Sequence, residues 1–168
     1  AARAAHDYLY TYRAGKVSAT LNIVSVDSES KTFVISRNNE APVMVYTKAA
    51  GLILLDQPSH AIGTRRRTKP IINEMPILAG TMIVTFTDGL RHAGKLTNNG
   101  AYDYAADMQK LIDQGVKDPQ AVADYLLQEA IALDDGRPRD DISVFVLTAY
   151  DRELNQAPRR RLSGRMPL

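Results

Sequence analysis

The segment 81-TMIVTFTDGL-90 decides how this chain is read. Met82 to Phe86 is β-branched and aromatic enough for a strand buried in a sheet, and it runs directly into Thr87, Asp88 and Gly89. An aspartate at the end of a buried strand is held by a rigid element while its carboxylate faces the loops. That suits a hard metal ligand, and a following glycine lets the backbone approach the ion. Asp-Gly is also a common hairpin turn, so the pair by itself has two readings.

A second acidic feature stands about fifty residues on, in 140-DDISVFVL-147. Adjacent carboxylates repel each other, and at the rim of a buried strand they cost stability unless a cation or a basic partner neutralises them. A metal ion would resolve that repulsion. So would the plainer alternative, an exposed pair capping a turn with Arg137 and Arg139 as neutralising neighbours.

Working outward, the region before Thr81 is β-rich. Val17–Val26 and Thr32–Ser36 flank the polar connection 27–30 and predict a hairpin; Val43–Thr47 follows Pro42, and Gly51–Leu55, Ile71–Ile77 and Thr81–Thr87 continue the pattern as a meander. The last two are joined by Leu78, Ala79 and Gly80 as a short turn. Ahead of the strands, Ala1, Ala4, Ala5, Tyr8, Leu9 and Tyr12 recur at helical spacing as far as Gly15. Behind them, Tyr104, Met108, Leu111 and Ile112 mark one apolar helix stripe and Val122, Leu126, Ala130 and Leu133 another, with Asp118-Pro119 as its start and Gly136 as its stop. Ile142–Leu147 returns to a strand. Helix, strands, two helices, strand is an α+β order.

With 168 residues and 45% hydrophobic composition the chain suits one domain, here placed at 1–155 with a basic tail, 156–168, expected to lack regular structure. The absence of cysteine excludes disulfides, thiolate metal sites and a cysteine nucleophile, and it suits a cytoplasmic protein. No apolar run approaches the roughly 20 residues of a membrane span. The net charge of +2 comes from two clusters, Arg65–Arg67 and the tail arginines 159–161 and 165, rather than from a basic face, so nucleic acid is not the expected partner.

Together, Thr87-Asp88-Gly89, an intervening pair of helices and Asp140-Asp141-Ile142-Ser143 resemble the SpoIIE-like branch of the type 2C metal-dependent protein phosphatases, the branch that includes RsbU- and RsbX-like proteins. Members typically have a TDG sequence ending one strand and a DD-Ile/Met-Thr sequence entering the last; Ser143 replaces the usual threonine. Asn38 with Ala41-Pro42-Val43, Ala61-Ile62-Gly63 and Leu78-Ala79-Gly80 resemble further segments of that family, and the likeness covers roughly Val17 to Leu147. It implies an α-β-β-α sandwich of mainly antiparallel sheets. It also implies a cytoplasmic serine/threonine phosphatase of signalling or stress-response pathways. Asp88 and Asp140 would hold two Mn²⁺ or Mg²⁺ ions, with Gly89 beside them and Asp141 orienting the site or binding a further ion. The substrate implied is a phosphorylated anti-sigma antagonist of the STAS type, or a stressosome protein.

The family's other two motif aspartates belong to Gly-Asp and Gly-Asp-x-x-Gly-His-Gly sequences upstream, and the chain starts after both. Asp7 and Asp27 sit in neither, so at most half of the ligand set is present, and an N-terminal portion of the phosphatase domain is expected before Ala1. Arg91 and His92 follow Asp88 closely and are candidates to grip phosphate and to protonate the leaving oxygen; as alternatives, both simply face solvent. His6, His60 and His92 share no zinc-ligand spacing. The competing expectation is a non-catalytic phosphatase-like module that only recognises a partner. Nothing in the residues specifies an oligomeric state.

Overall fold

The computed structural model describes residues 2–151. Its elements in chain order are α1 (Ala2–Tyr12), β1 (Leu21–Asp27), β2 (Thr32–Asn38), β3 (Val43–Thr47), β4 (Gly51–Leu55), β5 (Ile71–Pro76), β6 (Met82–Phe86), α2 (Asp88–His92), α3 (Tyr104–Asp113), α4 (Pro119–Leu133) and β7 (Val144–Thr148). The expected basic tail lies outside the described residues.

All strand pairs are antiparallel, and they form two sheets, β1-β2-β5 and β4-β3-β6-β7. The continuous meander expected from the sequence is therefore corrected: β5 and β6 do not form a hairpin. β5 lies against β2, with Phe33 opposite Met75, whereas β6 lies between β3 and β7. Burial explains the parting. β5 alternates, turning Ile72 and Glu74 to solvent, as an edge strand with one wet face must, while Met82, Ile83 and Val84 of β6 are all buried and require cover on both sides.

That cover comes from two cores. Phe33, Ile35, Val43, Val45 and Ile83 interdigitate between the sheets. On the other face of the four-stranded sheet, Met44, Val84, Phe86, Met108, Leu111, Val122, Leu126 and Ala130 join it to α3 and α4. A fully buried aliphatic side chain contributes about 1.5–3 kcal/mol, so these faces, rather than helix propensity, hold the helices in place.

Helix starts follow the sequence closely. The Asp118 carboxylate accepts from the Ala121 N–H at 3.2 Å with Pro119 in the first turn, and Asp103 caps α3 through the Ala106 N–H at 3.0 Å. α1 is anchored by buried His6, whose Nδ1 accepts the Gly63 N–H at 3.2 Å. Gly63 is there for space: a Cβ would run into the Val17 carbonyl and Leu9, at a φ of +99° that side chains resist. No described helix is long and apolar enough to cross a membrane.

Candidate active site

β6 and β7 end and begin side by side. Phe86 is opposite Val144, and one step further the Thr87 N–H donates to the Ser143 carbonyl at 3.1 Å, so the backbone ladder continues past both strands. The Thr87 hydroxyl then donates to the Asp141 carbonyl at 2.9 Å and accepts from the Ser143 N–H at 2.9 Å. Thr87 occupies the N-cap position of α2 but makes no side-chain cap, because its oxygen is committed across the strands. The two acidic segments, more than fifty residues apart in sequence, are thus bonded to each other.

Asp88 opens α2, so the hairpin-turn reading of Asp-Gly is set aside in favour of a strand running into a short helix. Gly89 makes that junction possible. A Cβ on it would sit 2.5 Å from the Asp141 carbonyl oxygen and 3.1 Å from Ile142, a backbone approach that no other residue permits without displacement. On the facing segment, an Asp140 carboxylate oxygen accepts the Asp141 N–H at 2.8 Å, which fixes that side chain against its own backbone.

Among the described residues, neither Arg137 nor Arg139 comes within ion-pairing distance of Asp88, Asp140 or Asp141. The neutralised-turn alternative therefore lacks its salt bridge. Arg91 is turned toward the β2–β3 connection instead, its guanidinium 3.6 Å from the Glu40 carboxylate. His92 faces the other way, into a hollow of about 250 Å³ shared with Gly89, Lys95, Leu96, Asp134, Arg139 and Asp140. This hollow is shaped by the 93–100 loop, which is tied to the end of α4. Buried Asp134 accepts the Gly94 N–H at 2.8 Å, and the Thr97 hydroxyl donates to the Leu133 carbonyl at 2.8 Å.

Lys95 and Arg139 beside Asp140 were not picked out as site residues by the sequence. Arg139 was visible only as a counter-charge to the acidic pair. Lys95 belongs to a loop with no motif of its own, and only the Asp134–Gly94 bond, spanning 40 residues, brings it here.

The donor set can be weighed against a divalent cation. In kind it fits, being hard carboxylate oxygens at a rigid sheet edge with no ion-pair partner within the described residues. In number it does not: no three metal-capable side chains converge anywhere among those residues.

A family model described as stage II sporulation protein E (SpoIIE) matches residues 1–150. The chain belongs to the SpoIIE family. Solved structures of similar fold are phosphatase domains of the type 2C class. The manganese-presoaked phosphatase domain of SpoIIE from Bacillus subtilis is 18% identical with a TM-score of 0.63, covering 82% of this chain and 60% of that one. The RsbU and RsbW domains of Rv1364c from Mycobacterium tuberculosis match at 17% identity and a TM-score of 0.61, over 86% of this chain and 40% of that one. The catalytic domain of the serine/threonine protein phosphatase PstP, solved in complex with two manganese ions, matches at 12% identity and 0.64, over 89% of this chain and 68% of that one. No curated protein matches the chain.

The α+β sandwich of antiparallel sheets is thus the type 2C phosphatase fold. This SpoIIE-family chain spans 60% of the length of the Bacillus domain.

Proposed function

We propose that the protein hydrolyses phosphoserine or phosphothreonine on a bacterial signalling protein, using water activated at a divalent-metal site to which this chain contributes Asp88, Asp140 and Asp141. The observation behind this reading is the Thr87–Asp141–Ser143 junction, which brings the TDG and DDIS segments together in a member of the SpoIIE family. Manganese in the SpoIIE and PstP structures favours Mn²⁺, with Mg²⁺ equally suited to carboxylate oxygens.

Asp88, Asp140 and Asp141 would hold the metal, which when bound would lower the pKa of a coordinated water and offset the charge of the phosphoryl group. The chain's own residues supply the rest. Thr87 and Gly89 hold the two acidic segments in register. Lys95 and Arg139, lining the hollow beside Asp140, would take the phosphate oxygens, Arg139 by its forked guanidinium. His92, in the same hollow, would give its proton to the departing serine or threonine oxygen. Arg91, engaged by Glu40, would meet substrate only if that contact opened. A cytoplasmic anti-sigma antagonist of the STAS type, or a stressosome protein, is the substrate class we favour, given the RsbU–RsbW neighbour.

Manganese-dependent release of phosphate from a small aryl phosphate by the full-length protein, lost in Asp88→Asn, tests this directly. No release by the intact protein would end the reading. The alternative is a non-catalytic phosphatase-like module, favoured only by the lack of three convergent metal-capable groups among the described residues. Calorimetric titration with manganese separates the two, since the module should take up no metal tightly even when intact.

A further inference from the structure

At the opposite end of β6 and β7 from the acidic segments, the helix layer stands away from the sheet and leaves a cleft of about 220 Å³. Its floor is Tyr46 and Met82, on the sheet face that packs against the helices; its wall is Ile112 at the end of α3 and Val116 just after it. The Tyr150 hydroxyl donates to the Lys117 carbonyl at 3.0 Å and ties the exit of β7 to the α3–α4 loop, closing one side. The floor and wall are therefore mainly apolar, and one side is closed by a side-chain hydrogen bond.

Two lysines and one carboxylate, Lys48, Lys117 and Asp151, stand around this cleft, a surplus of positive charge. Lys48 lies with its stem across Gly80, close enough that a Cβ there would sit 3.1 Å from its Cε, and Lys48 and Lys117 both line the cleft. Neither lysine has a carboxylate within ion-pairing distance among the described residues, although Asp151 also borders the cleft. Deeper in, Thr148 turns to the same face as Met82, its partner across the ladder, and its buried hydroxyl has no hydrogen-bond partner. A largely apolar floor, a buried hydroxyl without a partner and two lysines with no ion-pair partner among the described residues are complementary to an amphipathic anion.

We infer that this cleft is a second ligand site, separate from the acidic edge, for a small amphipathic anion with a short hydrocarbon body and a terminal carboxylate. The hydrocarbon occupies the space over Met82 and between Ile112 and Val116, and the carboxylate lies between Lys48 and Lys117. The inference is independent of the phosphatase reading, because it is tested by binding and not by turnover.

Octanoate is the probe, titrated into the full-length protein by calorimetry and followed by NMR at the methyl groups of Met82, Ile112 and Val116; octanol and octyltrimethylammonium are the comparisons. We expect saturable octanoate binding centred on those methyls, at least tenfold weaker binding of octanol, and none of the cation. The double variant Lys48→Glu, Lys117→Glu should weaken octanoate at least tenfold. Val116→Trp should abolish it by filling the space. Both lysines are exposed, so the charge variant should keep its fold and decides the matter even where the tryptophan variant does not fold. Absence of saturable octanoate binding, equal affinity for octanol, or octanoate affinity unchanged in the charge variant would each overturn the site.

Discussion

Thr87 and Asp141 are joined through a side-chain oxygen and a backbone carbonyl at 2.9 Å, and the same Thr87 oxygen receives the Ser143 N–H at 2.9 Å. One hydroxyl thereby sets the position of the acidic segment entering β7. Thr87→Val keeps the shape and β-branching but removes both bonds, at a cost of roughly 1–3 kcal/mol for the pair. Displacement of the facing carboxylates should cost more in rate than in stability, on the order of 100-fold in phosphate release by the full-length protein. Thr87→Ser should restore most of that rate. Equal rates for the valine variant and the parent would detach Thr87 from the site.

Gly89→Ala places a methyl group against backbone, not against a movable side chain, because its Cβ meets the Asp141 carbonyl oxygen at 2.5 Å. Overpacking of this kind costs about 1–3 kcal/mol. Chemical denaturation should show that loss, and manganese titration should show weakened uptake with Asp88, Asp140 and Asp141 all still present. An alanine variant with unaltered stability and metal uptake would mean the two segments part without cost.

Leu126 is wholly buried where α4 covers the sheet. Leu126→Ala should lower unfolding free energy by about 2–5 kcal/mol, the range for a leucine removed from a tight core. Octanoate affinity, read on folded protein, should change far less, since the cleft is lined from α3 and the α3–α4 loop and not from α4.

The Tyr102 hydroxyl is buried without a hydrogen-bond partner, and its pKa is pushed upward from 10.0, first by burial and then by the negative charge of Asp107. The folded protein thus holds this proton at a pH where the unfolded chain releases it. The associated stability is fully present below pH about 10 and is lost as the pH rises further, by at most about 1.4 kcal/mol per pH unit for one proton. Tyr102→Phe should be close to neutral at pH 7 and should lose less stability than the parent in alkaline melts. Parallel curves for the two proteins above pH 10 would contradict it.

Much of this architecture was legible in the residues. Short apolar or β-branched runs marked the place of every strand, though β1 begins at Leu21 and not at Val17, and the Asp118-Pro119 start of α4 was read from its capping chemistry. The allocation of strands to sheets was not legible, because a short turn such as 78–80 is compatible both with a hairpin and with a step from one sheet to the other. Only the contrast between one-sided β5 and two-sided β6 decides, and that depends on tertiary burial. α2 was missed because Asp-Gly at its start has little helix propensity; the helix is imposed by Thr87 and Gly89 docking on the β7 entrance.

The candidate site divides in the same way. Asp88 and Asp140-Asp141 stood out because carboxylates flanking hydrophobic strands are conspicuous. Lys95 is one lysine in a polar loop, and its place beside Asp140 comes from Asp134 gripping the Gly94 N–H across 40 residues. His6 stood out in the sequence only as a histidine without zinc-ligand spacing, and in the fold it receives an N–H from Gly63, 57 residues away. Contacts of this sort leave no periodic trace.

The central place of β6 also governs the order of events during folding. Val84 needs Met44, far behind it in the chain, on one side and Val146, far ahead, on the other. Such distant closures are slow, because loop entropy is lost before any contact compensates for it. Because Thr87 stands at the end of β6 and Asp141 just before β7, the acidic edge exists only where the second of these distant closures has been made.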